Sequence, residues 1–154
     1  MKRIGLYPGS FDPFHTGHEN IASKAVRMFD EVIIGIGVNQ DKGKATDDEI
    51  MNRKQKNLQF ILDTKTDLDV TVEAYQCLTV DLMREISKRY DGEEVSVTLI
   101  RGLRDGNDLE YETRALRFNQ GLMPDINVIM IICDSEFSNI SSTAIRNGDL
   151  EIKL

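Results

Sequence analysis

Histidine is nearly missing from this chain of 154 residues: there are two, His15 and His18, and both lie in the stretch GSFDPFHTGH at 9–18. Cysteine is as scarce, with Cys77 and Cys133 alone. Two cysteines so placed have neither metal-ligand spacing nor the density of a disulfide-bonded secreted scaffold, which excludes both classes and predicts reduced core thiols in a cytoplasmic protein. An excess of positive charge is also lacking: 19 Lys and Arg stand against 26 Asp and Glu, a net charge of -7. That balance opposes a broad grip on nucleic acid, and any cation needed for a ligand must be local. No apolar run approaches the ~18 residues of a membrane span, and the run after Met1 is too short for a secretory signal. Neither repeats nor a Pro/Gly/Ser linker divides the chain, whose length suits one domain over 1–154, without a membrane or nucleic-acid partner.

What the chain does have is short apolar runs set between helical periods. Residues 3–7, 32–38 (VIIGIGV) and 128–133 (VIMIIC) read as strands buried on both faces, and 69–75 (DVTVEAY) and 95–100 (VSVTLI) complete five. Between them 20–29 places Ile21, Ala22, Ala25 and Met28 at helical spacing, followed by helical periods at 48–62, 80–90 and 109–123. Strands alternating with helices imply right-handed crossovers, hence an α/β, Rossmann-like doubly wound five-stranded parallel sheet with helices on both faces. Ligands of such sheets sit beyond the carboxyl ends of the strands, so the loops there carry the functional signal.

The first of these loops, GSFDPFHTGH, puts Gly17 and His18 near a helix N-terminus, where N–H groups and the dipole favour an anion. A metal site on His15 and His18 would lack a third histidine or a cysteine. Lys42 and Lys44 occupy the tip of the second loop, NQDKGK, and Leu78-Thr79 in the third, QCLTVD, offer backbone groups to a ligand. In the fourth, RGLRDGNDLEYE, Arg101 ends the strand, Gly102 frees the backbone, and Arg104 precedes an acid-rich helix. Two arginines there form a clamp for phosphate, unless they only pair with Asp105, Asp108, Glu110 or Glu112. After the fifth strand, Ser141, Ser142 and Thr143 precede a short helical stretch, as an N-cap or a second phosphate cradle. Phosphate chemistry after the first, fourth and fifth strands together points to a polyphosphate ligand.

With these motifs the chain resembles the nucleotidyltransferase superfamily with the [HT]xGH motif, here His15-Thr16-Gly17-His18, and its serine-rich partner ISSTAIR at 140–146. Within it the chain is most similar to the bacterial phosphopantetheine adenylyltransferase family, over 4–146, through YPGSFDPFHTGH, LTVD, IRGLR, DLEYE, NQGLMP and SNISST. The resemblance implies an enzyme that joins ATP and 4'-phosphopantetheine into dephospho-coenzyme A and pyrophosphate. It implies Mg²⁺ carried by the ATP phosphates, with no metal ligand on the protein, and a cytoplasmic homohexamer. His18, Lys42 and Arg104 would be catalytic. ATP would be held by Ser10, Phe11, His18, Gly102, Leu103, Arg104, Glu112 and the stretch of Phe137, Ser138, Asn139, Ile140, Ser141, Ser142 and Thr143. Ser10, Lys42, Thr79 and Arg101 would hold phosphopantetheine.

Some positions depart from that family. Ser10 stands where Thr is usual and keeps the hydroxyl, whereas Thr79 replaces a larger apolar residue. His15 replaces a Thr, and SSTAIR is a form shared with nicotinamide and nicotinate mononucleotide adenylyltransferases. A pyridine mononucleotide therefore stays open as the acceptor, as does a non-enzymatic nucleotide-binding domain. The sequence reaches Leu154 soon after Thr143, where the family continues through a further helix; its absence is expected to affect the rim of a hexamer and not the contact centre.

Overall fold

A computed structural model describes residues 1–39 and 47–149. In chain order the elements are β1 (Lys2–Gly9), α1 (Thr16–Ala25), β2 (Glu31–Gly37), α2 (Asp47–Lys65), β3 (Thr71–Tyr75), α3 (Thr79–Lys88), β4 (Val95–Leu103), α4 (Gly106–Leu122), β5 (Asn127–Ile132) and α5 (Ser142–Arg146), with a 3-10 turn at Ser135–Phe137. All strand pairs are parallel, in the order β3-β2-β1-β4-β5. The chain winds outward from β1 through β2 and β3, then returns to β1's other side to lay down β4 and β5. This is the Rossmann-like doubly wound arrangement, and its strand order reverses between β1 and β4, where a crevice opens.

Alternate residues of the strands feed two cores, one on each face. Tyr7, Val32, Ile34 and Ile36 face Ile21, Ala22 and Ala25 of α1 and Leu58 and Leu62 of α2. Ile4, Leu6, Ile33 and Leu99 face Leu82, Met83 and Ile86 of α3. Burial on both faces is why VIIGIGV shows no polar alternation. Each fully buried aliphatic side chain contributes about 1.5–3 kcal/mol, so these layers hold the strand ends in place. Helix α4 differs: Glu112 is its buried residue, while Leu109, Tyr111, Phe118 and Leu122 are exposed.

Three expectations need correction. Helix α1 begins at Thr16, not at 20, because His15 caps it ahead of the apolar period. Strand β4 does not stop at 100 but continues through Arg101 and Gly102 to Leu103, paired with β5 as far as Leu103 opposite Ile132. Cys133 is buried as expected, but Cys77 is exposed; both are free thiols. Among the described residues no helix is long and apolar enough to cross a membrane.

Candidate active site

A cavity of about 580 Å³ lies at the carboxyl ends of β1 and β4, at the reversal of strand order. Its floor is Tyr7 to Phe11 on one side and Arg101 to Arg104 on the other. His15, Gly17 and His18 supply the wall from α1, Asn107, Asp108, Tyr111 and Glu112 the wall from α4, and Phe137, Ile140, Ser141 and Ser142 close it.

The two histidines form one hydrogen-bonded unit. His15 Nδ1 accepts from the backbone N–H of Gly17 at 3.1 Å and of His18 at 3.3 Å, while the N–H of His15 donates to His18 Nδ1 at 3.2 Å. This is a reciprocal capping box in which imidazoles replace the usual hydroxyl and carboxylate. The rings stack with centroids 3.7 Å apart and planes 16° apart. Gly17 permits this, since a Cβ there would lie 2.9 Å from the His15 ring. Because each Nδ1 is an acceptor, each neutral ring carries its proton on Nε2. Burial pulls the His15 imidazole down to about 4, helped by the charge of Arg104, and burial with His15 alongside pulls His18 down to about 3. Both rings are neutral at pH 7. The arrangement also corrects an expectation: the Gly17 and His18 amides are not free at the N-terminus of α1 but are engaged by His15.

Aromatic rings fix the direction of His18. Phe11 meets it edge-on at 4.9 Å and Phe14 lies at 5.2 Å, with Tyr7 behind Phe11 at 5.3 Å. Phe11 itself has a φ of 46°, in the left-handed region that costs an L-residue roughly 1–2 kcal/mol. Packing against Tyr7, Phe14 and His18 offsets that strain and stations the ring at the cavity's edge.

The arginines are paired, as the more conservative reading of the sequence had it, but they line the cavity all the same. Arg101 donates from Nε to Glu112 Oε2 at 2.7 Å, from Nη2 to Glu112 Oε1 at 2.8 Å and from Nη1 to the Pro8 carbonyl at 3.2 Å. Arg104 grips Asp108 through Nε at 2.9 Å and Nη2 at 3.0 Å, and its backbone N–H donates to the same carboxylate at 2.8 Å. These bonds hold the Asp108 carboxyl below its usual range and keep Arg104 firmly charged. Asp108 and Glu112 stand one turn apart on α4, so one helix serves both guanidinium groups.

The remaining sequence-chosen residues divide. Ser10, Phe11, His18, Arg101, Gly102, Leu103, Arg104, Glu112, Phe137, Ile140, Ser141 and Ser142 line the cavity. Ser138, Asn139 and Thr143 do not, and Lys42, with Lys44, lies outside the described residues. Thr79 lines a neighbouring cavity of about 140 Å³, which shares Pro8, Arg101, Tyr111 and Glu112 with the larger one. Its hydroxyl is 3.0 Å from that of Tyr75. Ser141 is the N-cap of α5, accepting from Ala144 N–H at 3.0 Å, and Ser142 donates to the Pro13 carbonyl at 2.9 Å, so this run ties α5 to the histidine turn. Sequence reasoning missed Tyr7, Asn107, Asp108 as a wall residue, Tyr111 and Cys133; the available signal was that Tyr7 and Cys133 stand at the carboxyl ends of apolar runs.

Residues 6–148 match the cytidylyltransferase-like family. A phosphopantetheine adenylyltransferase of Chloroflexus aurantiacus is 36% identical over 146 residues, spanning 94% of this chain and 81% of that protein. One from Porphyromonas gingivalis is 35% identical over 145 residues, 94% of this chain and 86% of its own length. Among solved structures, Plasmodium falciparum nicotinic acid mononucleotide adenylyltransferase complexed with NaAD is similar with a TM-score of 0.63 at 16% identity, covering 96% of this chain and 83% of that one. A bifunctional NMN adenylyltransferase/ADP ribose pyrophosphatase from Francisella tularensis has a TM-score of 0.60 at 22% identity, covering 96% of this chain and 42% of its own. At these identities the structural likeness speaks for the fold alone.

Proposed function

Because this chain belongs to the cytidylyltransferase-like nucleotidyltransferases, and within them to the phosphopantetheine adenylyltransferase family, we propose that it transfers the adenylyl group of ATP to 4'-phosphopantetheine, yielding dephospho-coenzyme A and pyrophosphate. The observation that carries this reading is the convergence of His18, Arg101 and Arg104 on one cavity at the strand-order reversal, beside a second cavity that opens at Arg101.

An oxygen of the acceptor phosphate attacks the α-phosphorus of ATP; that P–O bond forms as the bond to the bridging oxygen breaks, and pyrophosphate leaves with the electron pair. The acceptor is already ionised at neutral pH, so the reaction needs no general base and no covalent enzyme intermediate. What the protein supplies is position and charge. His18, neutral and with its proton on Nε2, donates a hydrogen bond to the α-phosphate as charge accumulates there. Arg104 keeps donors beyond its pair with Asp108 and faces the polyphosphate. ATP lies against Ser10, Phe11, Gly102, Leu103, Phe137, Ile140, Ser141 and Ser142. Arg101 receives the acceptor phosphate, with Ser10 nearby and Lys42 from the second loop, and the acceptor's arm enters the smaller cavity beside Thr79.

Mg²⁺ carried on the ATP phosphates would offset their charge beside Arg104; Asp108 and Glu112 are engaged by arginines. We read the chain as one nucleotidyltransferase domain of a cytoplasmic homohexamer, a reading to which the two free thiols and the exposed apolar residues of α4 lend support. The deciding experiment is pyrophosphate release from ATP with 4'-phosphopantetheine, nicotinamide mononucleotide and nicotinate mononucleotide measured side by side. Preference for phosphopantetheine is expected; preference for a pyridine mononucleotide overturns the acceptor assignment, and no release with any of them overturns the enzyme.

A further inference from the structure

We propose that Glu112 is a positioning residue for the acceptor phosphate, acting through Arg101. This rests on the adenylyl-transfer reading.

The first argument is occupancy. Both carboxylate oxygens of Glu112 accept from Arg101, at 2.7 and 2.8 Å, and the residue is 8% exposed. A buried carboxylate with both oxygens on one guanidinium spends its charge there and fixes how that side chain is held. The second argument is direction. A guanidinium has five N–H donors in a rigid fork. Glu112 takes the side-on pair, Nε and Nη2, and the Pro8 carbonyl takes one N–H of Nη1. Among the described residues one N–H on each terminal nitrogen remains unengaged, both away from the edge that Glu112 holds. Glu112 therefore decides which edge of Arg101 is offered.

The third argument is place. Arg101 and Glu112 line both the cavity that holds His18 and the smaller one that holds Thr79. A phosphate gripped there sits on the boundary between them, where an acceptor arriving from the smaller cavity meets the α-phosphorus near His18. Without the Glu112 charge the half-buried guanidinium keeps its bond to the Pro8 carbonyl but is no longer held on two sides, and the grip on phosphate loses its aim.

The test is Glu112→Gln, which keeps the shape but sets an amide NH₂ against a guanidinium N–H. Steady-state kinetics are run with whichever acceptor supports wild-type turnover, and binding of a non-hydrolysable ATP analogue is read by calorimetry. Expected is a rise in acceptor KM of about tenfold or more, the loss of one charge-assisted pair, with ATP affinity and ATP KM within about twofold. A rise in ATP KM with acceptor KM unchanged, or no change in either, overturns the proposal. Because loss of the charge also strains the α4 contact, Arg101→Ala/Glu112→Gln is compared with Arg101→Ala: no further rise in acceptor KM is expected, and an additive rise overturns action through Arg101. Absence of wild-type turnover with every acceptor sinks the functional reading, and the proposal with it.

Discussion

His15 and His18 cap one helix for each other: each imidazole uses Nδ1 to hold a backbone N–H of the same turn, and the rings stack at 3.7 Å. The bonds that start α1 thus also set the tautomer of the imidazole assigned to the reaction. Nitrogen NMR of the two rings should find Nε2–H in both, with no titration between pH 5 and 8. An Nδ1–H tautomer would remove the proposed donor, and a charged ring at pH 6 would contradict the neutral pair.

His18→Ala should lower kcat by roughly 10² or more while ATP affinity changes little, because a donor aimed at developing charge acts chiefly in the transition state. The same change removes the acceptor of the His15 N–H, so stability should drop by about 0.5–2 kcal/mol, the range for a lost cap. Normal turnover with weakened ATP binding would refute the role.

Acid should destabilise the fold earlier than carboxylates alone would. Unfolded imidazoles titrate near 6.5, while folded His15 and His18 are held to about 4 and about 3. Between those values the unfolded state binds more protons, so stability rises with pH up to about 6.5 and is flat above it. The slope is up to ~1.4 kcal/mol per pH unit for each histidine. Urea midpoints at pH 5, 6 and 7.5 check this, and a midpoint unchanged or higher at pH 5 contradicts it.

Arg101→Ala should raise the acceptor KM, and Arg104→Ala should mainly impair use of ATP. Gly102 and Leu103 separate the two side chains, and different carboxylates orient them. Substitutions with indistinguishable effects on both substrates would show that the division is wrong.

Gly17→Ala sets two effects in competition. Alanine gains up to about 1 kcal/mol of helix propensity, but its Cβ would come within 2.9 Å of the His15 ring. Displacing that ring strands two N–H groups at about 1–3 kcal/mol each. The clash should win, lowering both the melting temperature and kcat. A stabilised, fully active variant would mean that the cap is dispensable.

The strands were legible because burial on both faces leaves β-branched runs that need no context, and their parallel pairing followed from the crossovers; their order was not foreseen. The start of α1 was not, since its apolar period opens at Ile21 and histidine is a rare cap. Strand β4 was cut short because Gly102 reads as a breaker; in the fold it is a strand residue that lets Ile21 approach, a Cβ there lying 2.9 Å from that side chain. The motifs that line the cavity were legible as motifs. Which acids would meet Arg101 and Arg104 was not, because four carboxylates of the same helical region compete and only the docking of α4 on β4 selects Glu112 and Asp108.

That selection leaves both arginines hanging from one helix, which also exposes Leu109 and Phe118. A slide of α4 by a single residue, ~1.5 Å, would re-aim both guanidinium groups in the same stroke. On the proposed assignment, the grips on acceptor and nucleotide would thus share one lever.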